Sequence, residues 1–317
     1  MRYKRSCWSP SADMAGRVHY VDNGMKGRPF RTNPKLIRSG LASDEFGEMT
    51  PVLFRNRLCL LGSANARAEA NPCGNRCLWV EDVATGNVIS TFAEGYGLGS
   101  AFVDGNTFYA FAIPNDSRGA QRIDCFKTTD LHSWECHTVL EALTGEELFN
   151  ESVCMADGRY VMAYESRDAY YPPFTIYFAE STDLVAWRRI PGCVYGTDRY
   201  TACPTIRYVR GTYYMLYLEH LKPRWWFETF LTRSRDLVHW EQSPRNPVLD
   251  PEGVEDINTS DVDIMEYSDR HRGPCVRVYY ATGDQRTWGT VTWAEFEGTL
   301  EQFFNWYYPR QPSHGSV

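Results

Sequence analysis

Short apolar runs recur along most of this chain, and they come in pairs separated by a polar turn. Residues 51–54 and 58–61, 100–103 and 107–111, 152–155 and 160–164, and 204–208 and 213–217 follow this pattern; 261–265 and 276–280 do so across a longer turn. The intervening turns carry Asn56, Gly105, Gly158 and Gly211. Apolar runs of this length, bounded by Gly, Asn and Asp, predict antiparallel strands joined by tight turns. Further strand-like runs at 78–82, 88–92, 174–179, 230–233 and 291–296 lie outside the pairs, and 298–304 reads as a short closing helix.

A second pattern overlies the first. The heptapeptide Ser/Thr-x-Asp-Leu-x-x-Trp occurs at 128–134, 181–187 and 234–240, so Trp134, Trp187 and Trp240 fall at an equal interval of 53 residues. Unit starts near 48, 99, 150, 201 and 260 give five copies of a roughly four-stranded sheet. One such sheet cannot bury both its faces; five set radially can, each covering its neighbour, which predicts an all-β, five-bladed propeller. Two β-sandwiches are the alternative, but they would not produce the common period. In the repeats, Asp fits a turn-forming role and Trp a place between blades. Residues 1–46 carry no repeat and are punctuated by Pro10, Gly16, Gly24, Gly27, Pro29 and Pro34. They read as an irregular lead-in with room for a strand that helps close the ring; 47–309 is the propeller and 310–317 a tail.

Composition narrows the function. The net charge is −7 with no basic block, which argues against nucleic acid as the partner. No apolar run follows the basic N-terminus, so neither a signal peptide nor a membrane span is expected, and the location reads as cytoplasmic. Cys59 and Cys154 sit inside apolar strand patterns and read as buried thiols, while Cys73 and Cys77 lack the usual zinc spacing. Twenty Tyr, sixteen Phe and ten Trp suit both strands and surfaces that stack on sugars.

If the first strand of each unit is innermost, its start and the end of the second strand share one face around the axis. That face collects Glu48, Asn150, Glu165, Arg167, Tyr200, Glu219, His220, Asp261, Asp263, Gln285, Arg286 and Trp288. Counting back along the first strands makes Glu48, Asn150, Ala202 and Asp261 equivalent to within about one residue. Two acids in one such place could flank a sugar. Glycoside cleavage needs a protonated carboxyl and an ionised one, and crowding of carboxyls supplies the first. Glu48 and Asp261 are the expected acid/base pair, assisted by Glu165, Glu219 and His220. An inverting course is expected, which requires a carboxyl separation of about 6.5–9.5 Å rather than about 5–5.5 Å. Asn150, Arg167, Tyr200, Asp263, Gln285, Arg286 and Trp288 are expected to bind substrate. Glu151 should point away from the pocket, opposite to Asn150. No cofactor is required, although Asn258, Asp261 and Asp263 offer oxygen ligands for a structural calcium on the axis.

The repeated heptapeptide, the paired runs 204–208 and 213–217, and five units of this size resemble the five-bladed β-propeller glycoside hydrolases. That superfamily spans arabinanases and β-xylosidases, invertases and levanases, anhydro-galactosidases and mannoside phosphorylases. The resemblance covers about residues 47–309. In the arabinanase and xylosidase group it implies an Asp base on blade one, a pKa-tuning Asp on blade three and a Glu acid on blade four. Here Glu48 takes the first place, Asn150 the second, and Ala202 lies near the third. The chain therefore departs from that group, and Glu165, Glu219, His220 or Asp261 must replace the missing acids. Two rival expectations stand beside hydrolysis. One is a glycoside phosphorylase using Arg167, His220 and Arg286 to bind phosphate; the other is a non-catalytic, glycan-binding propeller.

Overall fold

A computed structural model describes residues 36–43, 47–64, 76–115, 120–172, 174–221, 223, 225–269 and 273–309. These form five four-stranded antiparallel sheets. The first blade contains β2 (Gly47–Phe54), β3 (Arg57–Ala64), β4 (Cys77–Asp82) and β5 (Asn87–Phe92). The second holds β6 (Tyr96–Asp104), β7 (Thr107–Pro114), β8 (Arg122–Thr128) and β9 (Glu135–Glu141). The third comprises β10 (Glu147–Ala156), β11 (Arg159–Arg167), β12 (Thr175–Ser181) and β13 (Arg188–Tyr195). The fourth is β14 (Thr201–Val209), β15 (Thr212–His220), β16 (Phe227–Ser234) and β17 (Trp240–Gln242). The fifth consists of β18 (Ser260–Asp269), β19 (Gly273–Gly283) and β20 (Gly289–Glu297), with β1 (Leu36–Ser43) as its outer strand.

The ring closes in two ways. The first strands neighbour one another in turn, β2 to β6, β10, β14 and β18, and β18 returns to β2. β1 pairs antiparallel with β20 and so ties the start of the chain to its end. The segment 1–46 thus contributes a strand to the fifth blade, and the propeller begins before residue 47. Arg38 on β1 secures this join. Its guanidinium pairs with Glu255 and donates to the Asp250 carbonyl at 2.7 Å.

Blade-to-blade packing explains the repeated heptapeptide. Asp130 Oδ1 accepts from the backbone N–H groups of His132 and Ser133, and Asp183 and Asp236 do the same in the next two repeats. These bonds fix a turn in which Leu131, Leu184 and Leu237 take φ of 65°, 63° and 65° and bury their side chains. The turn then delivers each Trp to the preceding blade. Trp134 stacks on Phe92 at 3.6 Å, Trp187 meets the edge of Phe111, and Trp240 stacks on Phe178 at 5.5 Å.

The closing helix α1 (Leu300–Tyr307) starts at a reciprocal cap between Thr299 and Gln302. It buries Phe303, Phe304 and Tyr307 against the fourth and fifth blades. The thiols of Cys59, Cys125, Cys154 and Cys193 are free and buried, Cys275 is buried too, and Cys77 is disulfide-bonded.

Candidate active site

The first strands of blades two to five share one irregularity. Between Gly97 and Ser100, Leu148 and Glu151, Ala202 and Thr205, and Ser260 and Asp263, two residues face one on the neighbouring strand. Such β-bulges bend a strand and re-aim its side chains. Here they make Leu98, Phe149, Cys203 and Asp261 equivalent, followed by Gly99, Asn150, Pro204 and Val262. Three of the first set have positive φ: Leu98 at 54°, Cys203 at 50° and Asp261 at 50°. β2 of the first blade pairs without a bulge, Glu48 opposite Ser63. The counterpart of Asp261 on the fourth blade is therefore Cys203 rather than Ala202, a shift of one residue.

The bulged segments line an axial well of about 330 Å³, counting its opening to solvent. Glu48, Asn150, Glu151, Cys203, Asp261 and Asp263 are in its wall. Asn150 Nδ2 donates to Glu48 Oε1 at 3.1 Å and to Asp261 Oδ1 at 3.3 Å, joining the first, third and fifth blades. Burial, followed by the charge of Asp261, pushes the Glu48 carboxyl well above the usual carboxylate range. Asp261 also accepts from the hydroxyl of Ser260, which in turn accepts from Gln285 Nε2 at 3.2 Å. Gln285 thus buttresses Asp261 from behind.

Glu165 lies opposite the bulge of its own blade and is buried. Its Oε2 accepts from the Cys203 N–H at 2.8 Å, and burial pushes its carboxyl up to about 8. Burial and the charges of Asp261, Glu165 and Glu48 also push the Cys203 thiol up. Asp263 is held by Arg207 and by the Ile264 N–H at 2.6 Å, so it braces the wall.

Several expected residues stand elsewhere. Glu219 is bound by Arg199 Nε at 2.7 Å and by the Tyr217 hydroxyl at 2.8 Å. In register, the fourth-blade counterpart of Glu165 is Tyr217; Glu219 lies two residues further along, past the bulge. His220 packs among Tyr200, Trp225 and Phe227, with ring centroids 5.9, 4.8 and 5.0 Å away. Tyr200 also meets Phe174. Arg167 pairs with Glu147 and lies over the rings of Phe149 and Phe174, and Arg286 lies over Trp225. Trp288 is exposed. None of Glu219, His220, Arg167, Tyr200, Gln285, Arg286 or Trp288 lines the well.

Of the trio expected to offer oxygen ligands to calcium, Asn258 and Asp263 each have protein partners. The Asn258 amide is engaged at both ends, donating to the Ala281 carbonyl and accepting from Gln285, while Asp263 is taken by Arg207. Among the described residues, no three His, Cys, Asp or Glu side chains are arranged to hold a metal ion.

Glu151 reverses its expected direction. Alternation along an unbroken strand would turn it away from Asn150, but the bulge breaks the alternation. Glu151 lines the well, is buried, and accepts from Ser100 Oγ at 3.2 Å. Burial pushes its carboxyl up to about 8. The well thus holds Glu48, Asp261 and Glu151, with Glu165 immediately behind Cys203.

No family model matches the chain, and no curated protein matches it in sequence. Solved structures do match in shape. A thermostable family-43 glycoside hydrolase aligns with a TM-score of 0.60 and 14% identity, over 83% of this chain and 90% of that one. An α-L-arabinofuranosidase from Fusarium graminearum, in complex with an iminosugar inhibitor, aligns at 0.57 and 14%, over 84% and 99%. The fold is that of the five-bladed propeller glycoside hydrolases. An N-acetylgalactosamine deacetylase from F. plautii, in complex with blood group B trisaccharide, shares it too, at 0.62 and 10% over 86% and 98%. At these identities the common property is the propeller, and the chemistry must be read from the side chains of its well.

Proposed function

We propose that this propeller is a glycoside hydrolase that cleaves a glycosidic bond in the axial well. Glu48 serves as the proton donor and Asp261 as its ionised partner. The observation that carries this reading is the shared Asn150 nitrogen, which holds two acids from the first and fifth blades side by side. Burial and Asp261 keep Glu48 protonated, as an acid for the leaving oxygen requires. Asp261 receives two hydrogen bonds, from Asn150 and Ser260, which fix the position of its carboxyl group.

The spacing speaks to stereochemistry. Both carboxyl oxygens bond one nitrogen, so they are closer together than those two bond lengths laid end to end. At 3.1 and 3.3 Å, those lengths put the two oxygens below the roughly 6.5–9.5 Å that admits a water between the groups. It supports a retaining course over the inverting one. Asp261 attacks the anomeric carbon as Glu48 protonates the departing oxygen; Glu48 then takes a proton from the water that releases the sugar.

The phosphorylase alternative has less support. Arg167, His220 and Arg286 are engaged away from the well, and no Lys, Arg or His is among its described lining residues. The test is Glu48→Gln and Asp261→Asn on a panel of aryl glycosides, with the product anomer read by NMR. Each is expected to lower kcat by about 100-fold or more. Full activity in both would remove the assignment.

A further inference from the structure

Glu151 is used by none of the steps above, yet it is among the most confined acids of the well. Its residue is 3% exposed; Ser100 Oγ satisfies Oε1, and Oε2 has no hydrogen-bond partner. A buried carboxyl oxygen without a donor is costly, and a ligand donor placed there recovers that cost. The groups around it are of one kind. Glu151 feels the charges of Glu48 from β2 and Glu165 from β11; those two in turn feel Asp261 from β18, and Cys125 from β8 lies near as well. Arg76, whose charge Glu48 feels, stands behind Gly97, Arg167 beside Glu165 is paired with Glu147, and Arg207 is paired with Asp263; none of the three lines the well. Four carboxyl groups, Glu48, Glu151, Asp261 and the Arg207-paired Asp263, therefore line a small space with no positive side chain among its described lining residues.

We propose that the well selects a glycoside carrying a free, protonated amine, and that Glu151 is the carboxyl group that receives it. An ammonium group supplies what this wall lacks: a positive charge and three N–H donors. An anionic sugar brings no cation to this wall, and a neutral sugar leaves Oε2 without a charged partner. The proposal rests on the hydrolase reading for the place of the ligand but not for its chemistry. Glu151 holds a proton at neutral pH, so arrival of the ammonium should release one.

The experiment is calorimetry on the full chain with methyl glycosides of glucosamine and galactosamine, their N-acetyl forms, and the neutral parents. Each titration is run in two buffers of different ionisation enthalpy. The amines should bind at least about tenfold more tightly than the other two groups, with a buffer-dependent heat that reports proton release. Glu151→Gln, which keeps the shape and removes the charge, should abolish that preference and the proton release together. Equal binding of amine and neutral sugars, no amine binding at millimolar concentration, or an unchanged preference in Glu151→Gln overturns the proposal. So does tight binding of calcium, magnesium or zinc by chelator-treated protein that Glu151→Gln removes, since the well would then be a metal site. Proton release is measured on the unaltered protein, so the test survives a variant that does not fold. Hydrolysis of neutral glycosides without amine binding would sink this proposal and leave the hydrolase reading standing. Amine binding with full activity in Glu48→Gln would do the reverse.

Discussion

Glu48 and Asp261 share one hydrogen-bond donor, Asn150 Nδ2, across the closure of the ring. The Asn150 bond favours the charged form of Glu48, while burial and Asp261 favour the neutral form. In Asn150→Ala the opposing influence is gone, and the Glu48 carboxyl should rise further. A general acid works only while protonated, so activity is lost as pH rises through its pKa. The alkaline limb of the kcat/KM profile should therefore move upward by about one unit, the worth of one hydrogen bond to a charged group. A downward or absent shift would mean that Glu48 is not the acid.

Two buried carboxyls also set a pH dependence of stability. Glu151 and Glu165 are raised from an ordinary 4.5 to about 8. Between those values the folded chain holds protons that the unfolded chain has released. Stability is then full below about 4.5 and falls as pH rises to about 8. The turn aspartates Asp130 and Asp236 are shifted downward and act only below this window. Thermal unfolding from pH 5 to pH 8 should show a falling Tm, and Glu151→Gln with Glu165→Gln should flatten it. A rising Tm in the parent would contradict the burial of both groups.

The sequence made the ring legible because its signals are periodic. Paired apolar runs and three equally spaced Trp residues need no tertiary information to be read, and the strands and turns follow from them. The meeting of Glu48 and Asp261 is also legible, since strand polarity alone places both at one face. Glu151 and Cys203 were not. Their direction depends on bulges at Phe149–Asn150 and Cys203–Pro204, and a bulge breaks the two-residue alternation on which such a reading relies. The same alternation places Glu219 with Glu165, because both follow an apolar run. The register places Tyr217 at that position instead. His220 looked available as a lone polar residue beside an acid, and only the packing shows it among aromatic rings.

Trp134 offers a test of the packing role of the repeats. It lies flat on Phe92 of the preceding blade and donates from Nε1 to Ser90 Oγ at 3.1 Å. Trp134→Ala removes the stack, the hydrogen bond and much buried area together. The expected cost is about 3 kcal/mol in urea unfolding, and Trp134→Phe should recover a good part of it. Because the residue is remote from the well, activity per folded molecule should not change. Undiminished stability in the alanine variant would leave the equal spacing of Trp134, Trp187 and Trp240 without its physical explanation.

Phosphate should be neither a substrate nor an activator. A phosphorolytic propeller must hold a dianion beside the anomeric carbon, which takes two or three cationic or N–H donors in the well. Here Arg167 is neutralised by Glu147 outside it, and the described lining is acidic. A phosphate entering would meet Glu48, Glu151 and Asp261, with no cationic side chain among the described lining residues to hold it. Turnover in phosphate and in a phosphate-free buffer of equal ionic strength should therefore match, with free sugar as the product in both. Formation of a sugar phosphate, detected by phosphorus NMR, would show that a cation reaches the well during turnover and would reverse the choice between the two enzymatic readings.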